Sequence, residues 1–128
     1  MRQPYLCEGS LRLFKSWIEH CCDPHYIGSR ETFIPTRLLD LMTPQSGYIR
    51  LVNTSQDPRF DSDPRSAINP SYVTLSYCWG DSTQVAPPLK TETVSLRDHL
   101  RQIPLEKLPR LFQDAISLIR ALGYQYMW

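Results

Sequence analysis

Ten consecutive residues constrain this chain more than any others: Tyr72-Val73-Thr74-Leu75-Ser76-Tyr77-Cys78-Trp79-Gly80-Asp81. Val73, Leu75 and Tyr77 alternate with Tyr72, Thr74 and Ser76, the period of a strand with two unlike faces. Gly80 tolerates positive φ and Asp81 can bond nearby backbone N–H groups, so the strand runs into a turn. A strand stopped this way puts polar side chains at the carboxyl edge of a sheet, where open α/β folds place binding sites. An ordinary strand and turn is the plainer reading of the same pattern.

At 128 residues the chain is one domain's worth or less, enough for one core. Fourteen Lys and Arg nearly balance thirteen Asp and Glu. That balance supplies no electrostatic reason to expect nucleic acid or an anionic membrane as partner. The N-terminus lacks a basic start followed by an apolar core, and no apolar run approaches the ~20 residues of a membrane span. A cytoplasmic or nuclear setting is the expectation, with Cys7, Cys21, Cys22 and Cys78 staying reduced.

Periodicity divides the rest. Leu11, Phe14, Trp17, Ile18 and Cys21 recur at helical spacing, which predicts a helix over 10–22 with Ser10 as N-cap and Asp23-Pro24 as its stop. Short extended segments at 36–41 and 48–53 flank the turn chemistry of Thr43-Pro44-Gln45-Ser46-Gly47, which predicts a β-hairpin with Leu39, Leu41, Ile49, Leu51 and Val52 as its apolar residues. Residues 54–71 are rich in Asp, Pro, Ser and Arg and read as a loop, the most mobile part of the chain. A second loop spans 81–91. A short helix over 94–102 carries Leu96, Leu100 and Ile103, and Pro104 ends it.

The last helix is the clearest. Leu108, Leu111, Phe112, Ala115, Ile116, Leu118, Ile119 and Leu122 form an apolar face broad enough to demand burial on more than one side. Pro109 suits the first helical turn and Gly123 the left-handed C-cap. Alternation resumes at Tyr124 to Trp128. Strand, helix, helix, strand is the grammar of an α/β sheet. The expected fold is therefore α/β, an incomplete three-layer-type sheet preceded by an N-terminal helix and hairpin.

The block Tyr72 to Gly80, with Leu108-Pro109, Phe112, Asp114-Ala115-Ile116, Arg120, Leu122-Gly123 and Tyr126-Met127-Trp128, closely resembles the heterokaryon incompatibility domain of filamentous fungi. A tryptophan-bearing helix, Pro35 to Asp40 and Ile49 to Val52 look like the segment that usually precedes it. The resemblance implies a flank over 1–71 and the first part of the domain over 72–128, its C-terminal part missing. It also implies a role in nonself recognition and regulated cell death, with other protein chains as partners, homotypic assembly among them. The Tyr72 to Asp81 strand further resembles the opening strand of Toll/interleukin-receptor domains. Some of those cleave nicotinamide dinucleotides (NAD) with a glutamate from a later helix, whose equivalent would lie beyond Trp128. The resemblance thus implies no cofactor for this chain and leaves NAD only as a substrate of a longer form.

Seven residues emerge as candidates for ligand or partner contact: Ser76, Tyr77, Trp79, Gly80, Asp81, Asp114 and Trp128. Trp79 offers a flat face for stacking, or else plugs the end of the core. Ser76 has no Ser–His–acid order around it and reads as a structural serine rather than a nucleophile. Asp114 either pairs with Arg110 on an exposed helix face or, as the family pattern implies, bonds the signature turn from a buried position. His20, Cys21, Cys22 and His25 match no established zinc spacing, so Cys21 is expected to face the core instead. Catalytic residues remain unassigned: neither a phosphate loop, a dinucleotide fingerprint nor paired-carboxylate spacing is present.

Overall fold

A computed structural model describes residues 6–21, 33–60, 71–78 and 89–128. The elements are α1 (Glu8–Cys21), β1 (Arg37–Asp40), β2 (Tyr48–Asn53), β3 (Tyr72–Val73), α2 (Leu96–Arg101), β4 (Ile103–Pro104), a 3-10 turn at Leu105–Lys107, α3 (Arg110–Leu122) and β5 (Tyr126–Met127). The strands form one five-stranded sheet in the order β3-β5-β1-β2-β4. The α/β expectation holds, and the strand–helix–helix–strand passage closes as a parallel β3–β5 pair. The hairpin does not stand apart from that unit, because β1 pairs antiparallel with both β2 and β5.

Side-chain alternation sends the sheet's residues to two separate cores. Leu41, Ile49, Ile103 and Met127 meet Ile116 and Ile119 of α3, with Leu39, Val73 and Leu75 packed alongside. On the opposite face Leu38, Val52 and Tyr126 gather around Phe60, joined by Ile34 and Tyr72. Phe60 meets Tyr126 edge-to-face at 5.0 Å. The polar stretch after β2 is thus folded at its start: Thr54 is buried, donating to the Pro35 carbonyl at 2.7 Å, and Phe60 seals the second core. Residues 54–60 are turns, as expected of a loop, yet they bury Thr54 and Phe60; residues 61–70 lie outside the described ones.

Local backbone bonds define both ends of α3. The Pro109 carbonyl accepts from the Phe112 and Gln113 N–H groups, so Pro109 stands just before the helix rather than inside it. Gly123 closes the helix at φ 91°, a conformation that Gly adopts without the Cβ penalty other residues carry. Only Ile116 and Ile119 are fully buried, while Leu111 on the far side is largely exposed.

Two shorter helices depart from expectation. Helix α1 begins at Glu8, its first turn closed by Leu11 N–H on the Cys7 carbonyl, so Ser10 lies within the helix and not at its cap. No residue of α1 is fully buried; Trp17 and Cys21 are exposed, so Cys21 does not face the core. Cys22 and His25 lie outside the described residues. Helix α2 is only six residues long and stops ahead of Pro104 as expected, and Pro104 then pairs with Tyr48 in the sheet. Its buried side chain is His99 and not Leu100, the ring nitrogen Nδ1 lying 2.8 Å from Thr91 Oγ1. That partner removes the usual cost of burying an imidazole.

Candidate functional site

Because β3 and β5 run parallel, their carboxyl ends open on one edge of the sheet. Backbone pairing continues past the strands: Trp128 N–H donates to Val73 O at 2.8 Å, and Leu75 N–H donates to Trp128 O at 3.0 Å. The chain then emerges at Ser76 and Tyr77, both exposed. The Tyr77 ring stands edge-on to Phe112 of α3, centroids 5.0 Å apart. Trp128 is 54% exposed although its ring touches Phe33 and Tyr72 at 5.8 and 6.5 Å. Ser76, Tyr77 and Trp128 therefore share this edge, as an α/β sheet dictates.

Asp114 lies one turn along α3 from Arg110, whose Nε is 3.0 Å from its Oδ1. Its carboxylate is neither fully buried nor fully exposed. Trp79, Gly80 and Asp81 lie outside the described residues, and with them any bond between Asp114 and the signature turn. Among the described residues, no group of three or more His, Cys, Asp or Glu side chains is placed to hold a metal ion.

A second polar centre was not expected from the sequence. It lies on the sheet face away from α3, where Asp40 is only 2% exposed. Oδ2 accepts from Arg50 Nε and Nη2 at 3.2 and 3.1 Å, and Oδ1 accepts from the Met42 N–H and from Gln125 Nε2 at 3.2 and 3.1 Å. Arg59 Nη1 approaches to 3.6 Å, its guanidinium over the Tyr126 ring at 5.9 Å. A buried carboxylate is tolerated only when its oxygens are bonded in this way. One signal could have found the pair: in the β1–β2 register Asp40 stands directly opposite Arg50.

Asp57 anchors Arg59 in turn, accepting Nε at 3.0 Å on Oδ1 and Nη2 at 2.6 Å on Oδ2. These bonds hold the Asp57 carboxyl down to about 2. A depressed acid stabilises the fold above its unfolded pKa, near 4, and loses that contribution as pH falls toward 2. Asp57→Asn is accordingly expected to have a lower urea midpoint than the parent at about pH 5, with the gap closing between about pH 4 and pH 2. A gap independent of pH would show that the carboxylate's charge contributes nothing.

The third feature is Arg120, named in the sequence pattern but without a partner until the fold places one. Its Nε, Nη1 and Nη2 donate to the carbonyls of Leu41, Ser46 and Tyr48 at 2.6, 2.8 and 2.9 Å. It thereby ties the end of α3 to the turn between β1 and β2. Burial lowers its pKa, although a guanidinium stays charged throughout the working range.

No curated protein and no solved structure matches the chain. A family model does: residues 72–128 match the one described as heterokaryon incompatibility protein (HET). The match opens on β3 and closes on Trp128, so it takes in both parallel strands, α2, α3 and the exposed edge between them. Over residues 72–128, less than half of its length, the chain is therefore similar to the heterokaryon incompatibility domain.

Proposed function

We propose that this chain acts in fungal nonself recognition, as part of an effector that triggers regulated cell death through contact with other protein chains. The family match over residues 72–128 is the observation that carries this reading. The edge at Ser76, Tyr77 and Trp128 supports it, since exposed aromatic side chains beside a polar rim suit a protein contact. Among the described residues no helix is long and apolar enough to cross a membrane. The proposed setting is the cytoplasm, and the proposed partners include further copies of the chain.

Induced expression in a filamentous fungus tests this directly. The parent chain is expected to arrest growth, and Ser76→Arg, which places a bulky charge on the exposed edge, to restore growth while the protein melts as before. Growth unaffected by the parent, or an arrest undiminished in the variant, overturns the reading. Incubation with NAD separates the enzyme alternative, in which a longer form resembling Toll/interleukin-receptor domains releases nicotinamide; the proposed contact role predicts no release.

A further inference from the structure

The Asp40 centre opens into a cleft of about 400 Å³, bounded by the turn between β1 and β2, by β2 and by the end of α2. Three guanidinium groups line it, those of Arg50, Arg59 and Arg101, against a single lining carboxylate, that of Asp40. Their states differ. Arg59 is committed to Asp57 and Asp40. Arg50 gives Nε and Nη2 to Asp40, which leaves its Nη1 without a partner among the described residues. Arg101, at the last residue of α2, makes no ion pair among them.

The remaining walls are equally uneven. Gln125 is bonded to Asp40, whereas the side-chain amides of Gln45 and Gln102 bond to none of the described residues. Met42, Pro44 and Tyr48 supply an apolar side to the same space. The cleft thus combines surplus positive charge, spare N–H donors and an apolar wall, at a volume within the roughly 300–1,000 Å³ of small-molecule sites. Arginine forks match the oxygens of phosphate in pairs, and a guanidinium already fixed by a carboxylate loses little entropy in using its remaining face.

We propose that this cleft binds a small phosphate ester, its phosphate held by Arg101 and the open side of Arg50 and its organic part lying along Tyr48, Met42 and Pro44. Both guanidinium groups come from outside the contact edge described above, so the site stands or falls independently of the cell-death reading. Asp40 acts here as a positioning residue, since its bonds set the direction of the Arg50 fork.

Calorimetric titration of the full chain tests the assignment, with inorganic pyrophosphate and a nucleoside diphosphate as separate probes. Both are expected to bind, the nucleotide more tightly because it also covers the apolar wall. Arg101→Glu is expected to weaken both by at least about tenfold, or roughly 1.4 kcal/mol, with little change in the urea midpoint because Arg101 is exposed and makes no ion pair among the described residues. Arg110→Glu, an equal charge change on α3, is expected to leave binding intact. Absence of binding at millimolar pyrophosphate, insensitivity to Arg101→Glu, or equal loss in Arg110→Glu each overturns the proposal. Binding confined to vesicles carrying a phosphoinositide, with neither soluble probe bound, overturns it as well and assigns the charge to a membrane surface.

Discussion

Arg120→Met is expected to lower the unfolding free energy by about 3–6 kcal/mol, because two part-buried hydrogen bonds from a charged donor are each worth about 1.5–3 kcal/mol. The third, to Ser46 O, is exposed, so water takes the place of the guanidinium there and little is lost. Methionine retains much of the stem and its packing, which isolates the polar contribution. The loss is large against a total of roughly 5–15 kcal/mol for a domain. Arg120→Lys separates geometry from charge: a single ammonium cannot reach three carbonyls that the planar fork meets together, so it is expected to recover only part of the loss. Urea unfolding of the three proteins decides the matter, and a methionine variant within about 1 kcal/mol of the parent would remove Arg120 from the account of this fold.

Arg120 also marks the limit of what the sequence could reveal. Helix α3 was legible because its apolar positions repeat at 3.6-residue spacing and Gly123 stands where a left-handed cap belongs; the hairpin was legible because turn residues separate two short extended runs. Both are local signals. The bond from Arg120 to Leu41 spans 79 positions, and no local pattern encodes which carbonyls a distant guanidinium will reach. The second core was hidden for a different reason. Leu38-Leu39-Asp40-Leu41 reads as a single apolar face, Leu39 and Leu41, whereas both faces are covered and Leu38 is almost wholly buried. Its cover, Phe60, sits in a stretch whose Asp, Pro and Arg content signals a loop. In α2 the apolar pattern points to Leu96, Leu100 and Ile103, whereas the helix buries His99, an imidazole satisfied by Thr91 that hydropathy does not single out. Of the site candidates, Ser76, Tyr77 and Trp128 come to one edge because β3 and β5 pair in parallel. The Asp40–Arg50 pair was within reach of the same reasoning, since cross-strand register follows once the hairpin is drawn.

Asp40→Leu carries the other large expected effect, a loss of about 2–3 kcal/mol, below the roughly 3–5 kcal/mol of a fully buried ion pair because the Arg50 side chain left behind is 38% exposed to water. Four hydrogen bonds vanish at once: two from Arg50, one from the Met42 N–H and one from Gln125. The Arg50 guanidinium then loses its bonded carboxylate and is left with water and the more distant Asp57, while Arg59 keeps its bonds to Asp57 and is less affected. The double variant is the sharper test. If the cost lies in the stranded charge, Arg50→Met in the Asp40→Leu background restores part of the stability, because a well-packed apolar pair can replace a buried ion pair at little net cost. If it lies instead in the lost backbone bond at Met42, which fixes the turn after β1, the second substitution recovers nothing. Asp40→Asn distinguishes these further: its oxygen can still accept from Met42 and Gln125, but its amide opposes the Arg50 donors. The charge account places Asp40→Asn close to Asp40→Leu in urea, and the turn account places it close to the parent.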